Sequence, residues 1–133
     1  MSASIEGRSR ELLEAPNFAA VATLRADGTP HVVPVWVDAD DDHVLLNSAR
    51  GRAWPRNVER DPRVTLEIQN LQNPYEYTTV RGRVVDVTED GADAHIDKLA
   101  KKYLGQDTYP FRTPDERRII VKVEPDTVRN WGG

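Results

Sequence analysis

Hydrophobic residues recur at two spacings along this chain, and the spacing changes wherever glycine, proline or aspartate interrupts it. Ile5, Leu12 and Leu13 fall on one side of a first helical stretch that Ser4 can cap, with Arg8, Arg10 and Glu11 on the other. Pro16-Asn17 ends it. Alternation with period two then predicts a strand over 18–24, and Asp27-Gly28 signals a hairpin turn. A second strand is predicted over 30–37. Its Pro30 and Pro34 lack the N–H groups of a two-sided ladder, so it belongs at a sheet edge or has a broken ladder. Residues 38–42 read as an acidic turn, and 43–47 as a third strand.

Pro55 suits only a first helical turn, which predicts a short helix over 54–60. Residues 63–69 alternate cleanly, and 75–88 form a long strand with Gly82 as a bulge or point of close approach. A helix over 89–104 presents Ala92, Ile96, Leu99, Ala100 and Tyr103 as its buried stripe and closes at Gly105. The last strand spans 117–123 and resumes towards Val128 or Trp131. About six strands with hairpin-length turns imply antiparallel pairing. The fold class is mainly β: a small barrel with helices packed outside, one domain over 1–133, with an N-terminal helix in 1–16 and the barrel core in 17–128.

Composition narrows the function. The chain has 133 residues, 38% of them hydrophobic, and a formal net charge of −4. It has no cysteine, which removes disulfides, thiolate nucleophiles and thiolate metal sites. No apolar run approaches the roughly 18 residues of a membrane span, and 1–15 lack a hydrophobic signal core, so a cytoplasmic protein without membrane contact is expected. Net acidity argues against nucleic acid as a partner. His31, His43 and His95 lie on separate elements at no metal-ligand spacing, and the acidic run at 38–42 lacks the glycine and later glutamate of a calcium loop; no metal is expected. Neither a Gly-x-Ser-x-Gly elbow nor a glycine-rich nucleotide motif is present. Any difficult chemistry therefore belongs to a bound cofactor.

Against this acidic background, Arg50, Arg52, Arg56, Arg60 and Arg63 crowd into fourteen residues beside only Glu59 and Asp61. Guanidinium forks next to a helix start suit a phosphorylated ligand; a solvated arginine face is the plainer alternative. Trp36 and Trp54 offer indole faces to a planar ligand or serve as core. Tyr75 and Tyr77, two apart, share a strand face.

Three segments in order, Pro34-Val-Trp-Val, the run from Asn47 to Pro62, and Tyr77-Thr-Thr-Val-Arg-Gly82, resemble the flavin/deazaflavin split-β-barrel superfamily, the pyridoxamine 5'-phosphate oxidase-like proteins. Within it the chain is most similar to the branch of coenzyme F420-dependent reductases. The likeness continues through the segments 96–105, 107–110 and 116–118. It implies a homodimer with cofactors held between subunits. It further implies an oxidoreductase delivering hydride to a small unsaturated or electron-poor molecule. The cofactor implied is coenzyme F420, with FMN as the alternative, and some members of the superfamily only carry a flavin, deazaflavin or haem. By the same resemblance Val33, Pro34, Val35 and Trp36 line the ring. Ser48, Arg50, Arg52, Arg56 and Asn57 are the phosphate candidates, with Asn57 equally suited to tying that loop to the sheet, and Asn47, Trp54, Tyr75 and Tyr77 are further cofactor contacts. Many deazaflavin-using relatives carry a lysine where this chain has Trp54, which leaves phosphate recognition to the arginines. Substrate-phosphate residues of pyridoxamine phosphate oxidation are not matched. No catalytic side chain stands out.

Overall fold

Residues 30–35 and 37–39 are separated by Trp36 alone, yet they form the two opposite edges of one sheet. The computed structural model describes residues 2–132. Its elements are α1 (Gly7–Glu14), β1 (Ala19–Leu24), β2 (Pro30–Val35), β3 (Val37–Ala39), β4 (Val44–Ala49), α2 (Ala53–Arg60), β5 (Arg63–Gln69), β6 (Tyr77–Thr88), α3 (Ala92–Leu104) and β7 (Arg118–Trp131). The seven strands pair antiparallel in the order β2-β1-β5-β6-β7-β4-β3. Laid flat at about 4.8 Å per strand, such a sheet would hold its edges roughly 29 Å apart. A single residue spans about 3.6 Å at most. The sheet must therefore curl until its edges meet, and the result is a mainly β split barrel with helices around it.

Register explains what fills it. Val33, Val21, Leu66, Val80 and Val128 line up across five strands, and Val35, Ala19 and Ile68 form the next inward row. Ile5, Leu12 and Leu13 from the N-terminal segment and Trp54 and Val58 from α2 join the same core. Gly82 sits opposite Pro125 at a register shift, where a Cβ would collide with the Glu124 carbonyl. The close approach expected at Gly82 is thus real, and β6 bends there.

The strand count differs from the sequence expectation because 30–37 breaks at Trp36, and residues 38–39, expected as turn, extend the second half as β3. β2 is an edge strand, as its prolines require. β6 begins at Tyr77 rather than 75. The side chains of Asn70 and Asn73 accept the N–H groups of Gln72 and Tyr75 and hold the chain in turns. Ser4 caps nothing: Ala3 N–H bonds the Pro125 carbonyl, and α1 starts later, at Gly7. No helix among the described residues is long and apolar enough to cross a membrane.

Candidate functional site

The barrel is split where β3 ends. Val37 pairs with Leu46, so continuing that register would set Trp36 opposite Asn47 and Val35 opposite Ser48. Instead the chain turns away at Trp36, and 30–35 pair with β1. A cleft of about 660 Å³ opens between β2 and the Asn47–Ser48 end of β4. Each of those two strands keeps one edge unpaired there, leaving backbone groups for a ligand.

The start of α2 forms one end of the cleft. Gly51, at φ +89°, turns the chain, and Arg52 takes the N-cap position without a side-chain cap. The first helical hydrogen bond runs from Arg56 N–H to the Arg52 carbonyl. Ala53 and Trp54 N–H groups therefore have no partner within the helix, and Pro55 has none to offer. Beside them stands Ser48, 1% exposed; its Oγ is the one buried side-chain polar atom left without a partner among the described residues. Free N–H groups, the positive end of a helix, the Arg52 guanidinium and an unsatisfied hydroxyl suit a phosphate.

The opposite wall is aromatic. Tyr103 of α3 stacks between Trp36, at 5.1 Å and 5°, and Phe18, at 5.6 Å and 13°. Tyr109 meets Trp36 edge-on at 6.0 Å and Phe111 at 5.6 Å. Phe18, Trp36, Tyr109 and Phe111 line the cleft. The loop carrying Tyr109 and Phe111 is pinned to α3: Asp97 accepts Tyr109 N–H at 2.9 Å and pairs with Arg112. Polar anchors hold this wall from behind. Burial pushes the Tyr103 hydroxyl up to about 12, and it stays a protonated donor to the Asn17 carbonyl. Burial pulls Lys102 down to about 8, where it donates to the Leu13 and Val37 carbonyls.

Of the residues singled out in the sequence, Val33, Pro34, Val35, Trp36, Asn47, Ser48, Arg52 and Trp54 all lie on the cleft. The remaining five lie elsewhere in this chain. Arg50 points outward to Glu59 and Glu89. Arg56 is solvent-exposed. Asn57 is buried behind the cleft, donating to Thr23 Oγ1 and accepting from Arg60, which ties α2 to β1. Tyr75 is 85% exposed, and Tyr77 stacks on Trp131 at 6.3 Å. Trp54 belongs to the barrel core as well as the cleft wall.

His31, Arg118, Phe18, Tyr109 and Phe111 also line the cleft, and none of them was among the site residues expected from the sequence. Arg118 is the notable omission. It reads as an ordinary charge at a strand start, and only the pairing of β7 with β4 brings it beside Asn47. Behind it His95 bridges Asn47 and Asp38. Burial alone would raise the Asp38 carboxyl, but hydrogen bonds from His95, the Ala39 N–H and Lys98 hold it well below the usual range.

A sequence profile described as pyridoxamine 5'-phosphate oxidase matches residues 5–132. Among solved structures, one named F420 reductase superposes with a TM-score of 0.81 at 31% identity, over 93% of this chain and 98% of that one. A conserved hypothetical protein from Mycobacterium tuberculosis superposes at 0.71 with 16% identity, over 96% and 86%. HupZ from Group A Streptococcus does so at 0.68 with 18% identity, over 93% and 92%. The last two share the fold alone. No curated protein matched.

Proposed function

This chain belongs to the pyridoxamine 5'-phosphate oxidase family, and from that premise we propose that it is an oxidoreductase using coenzyme F420, with FMN as the alternative. One observation carries the reading. The buried Ser48 hydroxyl, unpartnered, stands beside the uncapped start of α2 in a cleft whose far wall is aromatic. That arrangement offers a phosphate seat at one end and a flat apolar slot at the other. The resemblance to a protein named F420 reductase supports the deazaflavin choice. The buried indole at Trp54, which puts no charge on the first turn of α2, keeps FMN in play.

The cofactor, when bound, supplies hydride chemistry to a small unsaturated or electron-poor substrate. The protein's residues do the rest. Ser48, Arg52 and the N–H groups of Ala53 and Trp54 hold the phosphate. The free edge of β2 at Val33–Val35 and the rings of Trp36 and Tyr109 orient the planar part and exclude water. No side chain in the cleft is assigned as proton donor.

The working form proposed is a cytoplasmic homodimer. Val32, Pro34, Ala22 and Ala20 give the outer face of β1 and β2 a flat, small-residue surface, with Val32 and Pro34 exposed. A second copy covering it would also bury the exposed Tyr75 and Trp131. On this proposal Tyr75 and Tyr77, remote from the cleft of their own chain, serve the partner's cofactor.

Fluorescence titration of the protein with F420 and with FMN tests the reading. Micromolar binding of one, with turnover of quinone, enone or nitroaromatic acceptors, is expected. Binding without any turnover would leave a carrier, and binding of neither would remove the proposal. Light scattering tests the dimer.

A further inference from the structure

Arg118 is a cation held inside a mostly apolar wall, its side chain 3% exposed. Nε–H donates to Asn47 Oδ1 at 2.9 Å, Nη1 to Glu116, and the guanidinium face covers Tyr109 at 5.2 Å. Nη2 makes no hydrogen bond to the described residues, and the side chain borders the cleft.

The geometry behind it fixes every proton. A guanidinium only donates, so Asn47 must present its oxygen to Arg118 and its amide nitrogen to the other side. That nitrogen donates to the Ala92 carbonyl at 3.0 Å and lies 3.1 Å from His95 Nδ1. His95 Nδ1 must then accept, which puts the imidazole proton on Nε2, 3.1 Å from Asp38 Oδ2. Asp38 is in turn held by Lys98 at 3.1 Å. Asp38, His95 and Asn47 thus form a buried, one-directional chain that ends on Nε of Arg118.

A packing role for Arg118 would be complete with Glu116 and Asn47. A third nitrogen, Nη2, is left over on the same cleft as the unmatched Ser48 hydroxyl. Nη2 is open to the cleft, so it is available to a ligand's oxyanion without giving up a protein partner. Among the described residues, Glu116 is the only acid paired with Arg118. Burial would raise its carboxyl, yet the Arg118 bond, with the charge of Arg52 nearby, holds it below the usual range. The carboxylate thus bonds one cationic side chain of the cleft and lies in the field of a second.

We infer that Arg118 reads an oxyanion of the cofactor, that Asp38, His95 and Asn47 are its positioning residues, and that Glu116 is the resident counter-charge this oxyanion competes with. The inference rests on the cleft being the cofactor site, and does not depend on which cofactor is used.

The test titrates the whole protein with F420, FMN and riboflavin, the last lacking the phosphate. If the wild type binds none of them, the cofactor reading falls and this inference with it. If it binds, Arg118→Gln should weaken the phosphorylated ligand about tenfold or more, the loss of one charge-assisted contact, and leave riboflavin nearly unchanged. Glu116→Gln should tighten the phosphorylated ligand several-fold, where a merely structural Glu116 would loosen it. His95→Phe should weaken binding in the wild-type background and add nothing in the R118Q background, the mark of action through Arg118. Binding by Arg118→Gln within about twofold of wild type, looser binding by Glu116→Gln, or additive losses would each overturn it. Should Arg118→Gln fail to fold, Arg118→Lys and Glu116→Gln decide the matter on their own.

Discussion

The Tyr103 hydroxyl accepts the Val37 N–H at 3.0 Å and donates to the Asn17 carbonyl at 2.6 Å, one atom joining α3 to both ends of the barrel split. The ring of the same residue lies flat between Trp36 and Phe18. It fixes the residue at which the strand changes partners, and hence the width of the cleft. Tyr103→Phe keeps the stack and removes both bonds, so chemical denaturation should show a loss of about 1–3 kcal/mol with Trp36 fluorescence preserved. An unchanged midpoint would mean that the hydroxyl contributes nothing net.

Two arginines separated by one glycine should behave differently. Arg52 holds the N-cap position of α2 on the cleft, whereas Arg50 is turned outward to Glu59 and Glu89. Arg52→Ala should weaken cofactor binding about tenfold or more, while Arg50→Ala should stay within about twofold. Equal losses in a titration would show that both side chains reach the ligand.

Ser48 carries a cost in the empty cleft that a ligand should reverse. An unsatisfied buried hydroxyl costs about 1–3 kcal/mol, so Ser48→Ala should stabilise the ligand-free protein by up to about that amount. It should simultaneously weaken the phosphorylated cofactor. Opposite signs in thermal unfolding and in binding distinguish a ligand-facing hydroxyl from one that is merely packed; a destabilised S48A protein would refute the assignment.

The antiparallel barrel was legible because its signals are local. Asp27-Gly28 marks the first hairpin, Pro30 and Pro34 mark an edge, and alternation at 63–69 marks a half-buried strand. The β2 side of the cleft and the Asn47–Trp54 run were legible through family resemblance. Arg118 and His95 were not, because what makes them special is a partner far away. Arg118 meets Asn47 across 71 positions, and His95 meets Asp38 across 57. Arg118 falls in the 116–118 segment of the family likeness and His95 just before the 96–105 one, but neither segment carries a role for them, and each alone looks like an ordinary strand or helix residue. The break at Trp36 was missed for a related reason. Its apolar pattern runs straight on from β2 into β3, and only the sheet's curl forces the change of partner there.

Acid stability should report on one long-range pair. Arg8 of α1 grips Glu76, just before β6, through two hydrogen bonds of 2.7 and 2.6 Å. The Glu76 side chain is 3% exposed. Bonds from Arg8, then Asn70 and Asn130, outweigh its burial and hold the carboxyl down at about 2, against an ordinary 4.5. The depressed value means that the unfolded chain binds this proton first as pH falls. The stabilisation is therefore complete above about 4.5 and drains away as pH drops towards 2. Glu76→Gln should lower stability at neutral pH and flatten that part of the profile, so the two proteins' unfolding curves converge on acidification. Parallel curves from pH 6 to 2 would show that Arg8 and Glu76 are not coupled in solution, and that α1 is held to the barrel by Leu12, Leu13 and the bonds of Ser9 and Arg10.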